Sequence, residues 1–144
     1  MKLFQTPTPL LILGFAGLIP FWVISLIVLS DASVDHFAVE LQVSYGAVIL
    51  SFLGGIHWGM LLVREDNSDW RRAIWGVTPS LIGWFALALP LTWALITILA
   101  GLIMSALADL RIFSSPSDTW YRPFRLTLTL MAVSAILIVL ISVA

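Results

Sequence analysis

Residues 73–110 read AIWGVTPSLIGWFALALPLTWALITILAGLIMSALADL, and the path of this stretch decides the fold. Its only charge is Asp109, near its end. As one helix its 38 residues would run about 57 Å, nearly twice the roughly 30 Å hydrocarbon core of a bilayer. It must therefore fold back. Pro90 lies near the middle, where the missing N–H and the ring clash with the preceding turn favour a break. The expectation is a tight helical hairpin, 73–89 followed by 91–110.

Three more apolar runs flank this one. The first, Pro9 to Leu29, is uncharged and at 21 residues exceeds the roughly 7–15 residues of a leader's apolar region, so it reads as a span that is kept. The second is fully apolar from Gly46 to Val63, with Glu40 and Gln42 in a polar lead-in, and the last runs from Phe124 to Ala144. With 60% hydrophobic and 10% charged residues, against roughly 25% charged in soluble domains, no chain of this size hides so much apolar surface in an interior of its own. The fold class expected is an all-α integral membrane bundle of five transmembrane helices, N-terminus in and C-terminus out. A single domain, 1–144, would hold spans of about 9–29, 43–63, 73–89, 91–110 and 124–144.

Charge placement supports five crossings. All seven basic residues, Lys2, Arg64, Arg71, Arg72, Arg111, Arg122 and Arg125, then fall on one side, while Asp31, Asp35 and Glu40 fall on the other. This is the positive-inside bias in nearly pure form. Trp70, Trp75, Trp120 and Tyr121 near the inner ends, with Tyr45, Trp84 and Trp93 nearer the outer ends, match the headgroup preference of amphipathic rings. Trp22 and Trp58 lie deeper. The net charge of −1, without a clustered basic face, gives no reason to expect nucleic acid as a partner. The absence of cysteine removes thiolate chemistry and Cys-ligated metal from this chain.

The second span carries the residues that invite a function. Gly55 and Gly59 form a GxxxG spacing that Ser51 extends by a turn, a small-residue face on which another helix can approach closely. Simple helix packing is the plain reading of that face. His57 lies about seven residues, roughly 10 Å, inside the inner end of its helix, and an intramembrane ionisable residue is a functional candidate. The competing reading is a neutral imidazole hydrogen-bonded to Thr78, Ser80 or Ser105. His36, the other histidine, belongs to the opposite side, and His57 with Asp109 makes too few ligands for a metal site.

Further polar groups gather at the inner ends: Arg64 and Asp66, Arg71, Arg72 and Trp75, Asp109 and Arg111, and Tyr121 to Arg125. Snorkelling to headgroups accounts for basic residues there. The sharper expectation is a ligand-binding cavity in the inner half built from His57, Trp58, Trp75, Asp109 and Arg122. Pro20 in mid-span and Pro79 in Thr78-Pro79-Ser80 are expected to kink their helices.

The chain resembles the small multi-span membrane family of unknown function that includes mitochondrial transmembrane protein 69 and bacterial relatives. The resemblance rests on Leu13 to Phe21 (LGFAGLIPF), on Tyr45 to Gly59 (YGAVILSFLGGIHWG), on Thr78-Pro79-Ser80 and on Tyr121-Arg122-Pro123. It implies a multi-pass protein of the bacterial inner membrane, or of the mitochondrial inner membrane in a eukaryote, and it brings no activity with it. The tryptophan-rich sensory protein and translocator family also packs five helices into a chain of similar length, but its motifs are absent here. A shared helix count assigns no function.

The functional expectation is therefore binding or transport of an amphiphilic or anionic small molecule at an inner-half cavity. The alternative is an accessory or assembly subunit of a larger respiratory-type membrane complex, docked through its glycine face, or a homo-oligomer. Without paired intramembrane carboxylates, an HExxH motif or an activated nucleophile, the chain reads as a non-enzyme with no catalytic residues, and the sequence names no cofactor. In topology mapping, reporter fusions at the N-terminus and in the 64–72 and 111–123 loops are expected to report the cytoplasm, and one at Ala144 the opposite side. A C-terminal fusion active in the cytoplasm would remove one span.

Overall fold

The computed structural model describes residues 8–30, 36–63, 69–113 and 120–143, so Lys2, Asp31, Asp35, Arg64, Asp66 and Ala144 lie outside the described residues. Those described are helical or in short turns, in the order α1 (Thr8–Ala16), α2 (Ile19–Ser30), α3 (His36–Val63), α4 (Trp70–Ala86), α5 (Leu91–Arg111) and α6 (Tyr121–Val143). In hydrocarbon every backbone N–H and C=O must be satisfied within its own segment, which selects helices for such a sequence. Four rods are long and apolar enough to cross a membrane: Thr8–Ser30, His36–Val63, Leu91–Arg111 and Tyr121–Val143. The fifth, α4, has 17 residues, about 25 Å, and opens on two arginines.

The first rod is broken where Pro20 removes a helical N–H. A turn at Gly17 and Leu18 separates α1 from α2, and the Tyr45 hydroxyl of α3 donates 2.8 Å to the Gly17 carbonyl. Pro79 lies inside α4, buried against α3. α3 begins at His36, seven residues before the expected 43, so Glu40 and Gln42 belong to the helix and Gln42 is fully buried. The expected hairpin forms at Pro90. Leu87, Ala88 and Leu89 donate to carbonyls three residues back, closing α4 with a tightened turn, and Pro90 supplies the first carbonyl of α5, 2.9 Å from Ala94 N.

The core runs down the bundle axis through Phe21, Leu50, Leu95, Ile98, Leu102, Ile136 and Val139, all essentially inaccessible. Large apolar side chains such as Leu62, Trp84 and Ile141 point outward, 84%, 71% and 76% exposed, as a lipid-facing surface requires. Ser25 Oγ lies 2.8 Å from both the Phe21 and Ala135 carbonyl oxygens, tying α2 to α6.

The closest helix contact joins α3 to α4. Gly54 meets the backbone of Gly76, and Gly83 faces Ala47, so that a Cβ on Gly83 would come within 3.0 Å of the Ala47 Cα and carbonyl oxygen. These pairs are seven residues apart on both helices, the repeat of an antiparallel seam. The small-residue expectation needs correction by one position. A Cβ on Gly55 or Gly59 would meet nothing within 4 Å, and Ser51 is exposed, with its hydroxyl turned back to the Ala47 carbonyl at 3.0 Å. Helical phase explains the shift: Leu50, Gly54 and His57 share the inward face, which turns Ser51, Gly55 and Gly59 outward.

Gly54→Ala and Gly76→Ala are expected to destabilise by about 1–3 kcal/mol through overpacking. Gly55→Ala and Gly59→Ala, on an open face, are expected to be neutral or to stabilise by a few tenths up to about 1 kcal/mol through helix propensity. Thermal unfolding in a neutral detergent separates the two pairs.

Candidate functional site

Asp109 is the hub of the buried polar groups. It sits in the last turn of α5, 6% exposed, and uses its two oxygens on different helices. Oδ2 accepts from Arg125 Nε of α6 at 2.7 Å, and Oδ1 is 2.9 Å from His57 Nε2 of α3. Arg125, 5% exposed, also donates to Thr129 Oγ1 at 2.8 Å and to Ser105 Oγ at 3.2 Å. Ser105 precedes Asp109 by four residues and Arg125 precedes Thr129 by four, so each pair stacks on one helix face and the two faces meet. An ionised Asp109 can only accept, which puts a hydrogen on His57 Nε2 and leaves Nδ1 as the other ring position. His57 is 2% exposed, and its Nδ1 is buried without a hydrogen-bond partner among the described residues.

A second cation stands nearby. Arg72 of α4 is 5% exposed, its guanidinium carbon 4.7 Å from the centre of the Phe113 ring, while the His57 ring lies 4.8 Å from the same ring, centre to centre. Its backbone N–H donates 3.1 Å to Asp69 Oδ1, capping α4, and its Nε is 3.5 Å from Asp69 Oδ2. Its Nη1 is 3.5 Å from Met60 Sδ. Four helices thus converge on this end of the bundle through polar side chains.

Two spaces adjoin the network. A cavity of about 180 Å³ is lined by His57, Asp109, Met60, Phe113, Trp120 and Tyr121. A crevice of about 370 Å³ lies between the first rod, α3 and α6, with walls that include Gly17, Tyr45 and Leu128, and with Arg125 and Thr129 at the end nearest the polar network. Its lining residues Leu13, Val48 and Phe52 are 68%, 63% and 65% exposed, so it opens sideways on the apolar flank.

Of the residues expected at the site, the structure brings together His57 and Asp109, in direct contact. Arg122, in the first turn of α6, is exposed, and Arg125, one turn deeper, is the arginine turned inward. Trp58 lies elsewhere, half-exposed, its indole donating 2.9 Å to the Ala73 carbonyl and covering Gly76, so it clamps α3 to α4. Trp75 is partly buried on α4 and does not line either space. Thr78 and Ser80 do not serve His57; Thr78 returns its hydroxyl to Ile74 at 2.9 Å. The Ser105/Asp109 and Arg125/Thr129 spacings were the signal that would have found Arg125. Nothing in the sequence pointed to Phe113 as the ring shared by His57 and Arg72.

A family model described as a protein of unknown function (DUF3429) matches residues 6–141. The chain is similar to transmembrane protein 69 of Xenopus tropicalis, 34% identical over 133 residues that cover 90% of this chain and 52% of that protein. It is also similar to transmembrane protein 69 of Mus musculus, 31% identical over 144 residues, covering 96% of this chain and 58% of the relative. The chain thus spans little more than half the length of these curated relatives. No solved structure matches.

Asp109→Asn leaves Arg125 buried without its counter-charge and is expected to cost about 3–5 kcal/mol. Ser105→Ala removes one long hydrogen bond and is expected to cost at most about 1.5 kcal/mol. Unfolding followed by circular dichroism in detergent measures both; equal small losses would mean that the Asp109–Arg125 pair is not formed.

Proposed function

The chain belongs to the DUF3429 family and is a multi-pass membrane protein, and from its geometry we propose that it binds an amphiphilic anion, with the tail in the lateral crevice and the head against Arg125. The observation that carries this is the crevice itself: about 370 Å³, apolar along its walls, open on the flank, and ending on a buried guanidinium and a hydroxyl. An uncharged tail gains by replacing lipid in such a slot only if the head also finds a partner, and Arg125 supplies a positive charge with planar donors. The role is binding or transport rather than catalysis. Among the described residues lining the inner cavity, His57, Asp109 and Tyr121 are the polar ones, and none is a serine, threonine or cysteine nucleophile.

In this reading α4 crosses the membrane as well, giving five spans with the N-terminus in and the C-terminus out. Its seam with α3 runs from Trp58 and Ala73 at one end to Ala47 and Gly83 toward the other, which spans most of α3's apolar length. The inner membrane of a bacterium or mitochondrion is the location that fits this layout. A second reading, an accessory subunit of a larger membrane complex or a homo-oligomer, draws on the open Ser51, Gly55 and Gly59 face.

The test is binding of decanesulfonate, whose charge is fixed, to protein purified in a neutral maltoside. Val48→Trp places a bulky ring at the crevice from an exposed position and is expected to weaken binding about tenfold, or ~1.4 kcal/mol, with an unchanged melting temperature. Binding unaffected by Val48→Trp would place the anion elsewhere. Co-purification of stoichiometric partner chains with no anion binding would favour the second reading.

A further inference from the structure

Asp109 separates the two spaces, and its two oxygens serve different masters. Oδ2 faces Arg125, which lines the lateral crevice, and Oδ1 faces His57, which lines the inner cavity. We propose that His57 Nδ1 is a proton-binding site coupled to the Arg125 end of the crevice, so that the protein takes up a proton together with its anionic amphiphile. This rests on the crevice being the anion site.

The atoms assign the proton its place. With Nε2–H directed at the Asp109 carboxylate in both protonation states, Nδ1 is the ring position that gains or loses hydrogen, and it is the one with no partner among the described residues. The neutral cluster of Arg125, Asp109 and neutral His57 has no net charge. Proton uptake at Nδ1 makes it +1 and gives the carboxylate a second cationic donor on the oxygen away from Arg125. The guanidinium then shares Asp109 and presents more of its charge to the crevice. An anion there and a proton on His57 each favour the other, and by linkage the two effects are equal.

Among the described residues, the groups that face His57 are few. From α5 there is Asp109; from α6 there are Arg125, through Asp109, and Tyr121 on the cavity wall; from α4 there is Arg72 across the Phe113 ring, with Asp69 on its far side. Arg72 and Arg125 oppose the extra proton and Asp109 favours it.

Two measurements on the intact protein in neutral maltoside test this. The first is nitrogen NMR of histidine-labelled protein over about pH 5 to 8, in which the His57 Nδ1 resonance is expected to report proton uptake when decanesulfonate is added. The second is calorimetry with decanesulfonate in buffers of different ionisation enthalpy. Binding is expected to be roughly tenfold tighter at the acid end of that range than at the alkaline end, with proton uptake on binding, within the 5–150-fold span usual for coupled sites. His57→Gln is expected to keep binding but abolish both its pH dependence and the proton uptake. A silent Nδ1, or equally tight binding across the range without proton exchange, overturns the coupling and leaves the crevice reading standing. No binding at any pH overturns the crevice reading and the coupling with it, whatever the NMR titration shows.

Discussion

A carboxylate 6% exposed inside an apolar bundle is tolerable only with opposite charge at hydrogen-bond distance, and Asp109 has that from Arg125 at 2.7 Å. Desolvating two ions costs several kcal/mol each, and their attraction offsets this only where the remaining polar atoms are also engaged. Here they are: Ser105 and Thr129 take the guanidinium's other donors, and His57 takes the second carboxylate oxygen. The pair therefore fixes α5 against α6, and the histidine brings α3 to the same point. Polar satisfaction specifies the register of three helices at the end of the bundle where apolar packing alone would be permissive.

At mid-depth the specification is steric instead. α3 and α4 approach until backbone meets backbone at Gly54 and Gly76, and Trp58 closes over the contact with a hydrogen bond to Ala73. In lipid there is no hydrophobic gain in bringing two helices together, so close van der Waals contact and such bonds must supply the association. The short α4, the least apolar of the rods at its start, is held in place by this seam and by Arg72, which carries its charge inward to Phe113.

Much of this was legible in the sequence, and what was not has a physical reason. Lengths and charges gave the helical class, the number of rods and the turn at Pro90, because bilayer thickness is a hard constraint on chain length. His57 and Asp109 stood out because ionisable residues are rare at depth. The faces were harder. In a soluble helix the polar side marks the exterior, but in lipid both sides are apolar, and the phase of α3 had to be chosen between Gly54 and Gly55 with little to distinguish them. The same ambiguity pointed to Arg122 instead of Arg125: the two lie on neighbouring positions of α6, and it is depth along the helix, one turn further in, that buries the second. Phe113 lay beyond reach because its role depends on two helices meeting around it.

The break at Gly17 gives the first rod two unequal halves. α2 buries Phe21, Ile24, Ser25 and Val28, whereas α1 buries none of its nine residues and touches α6 chiefly through Gly14 and Phe15 against Phe124. The Tyr45 hydroxyl holds the joint by its free carbonyl. α1 also forms one wall of the crevice, through Leu13 and Gly14. That wall is mechanically a lever with its pivot pinned and its arm resting lightly on Phe124, so compliance is concentrated in a single element. Because none of its own residues is buried, a displacement of α1 about that joint would alter the width of the slot before it disturbed a core side chain or the Asp109–Arg125 pair.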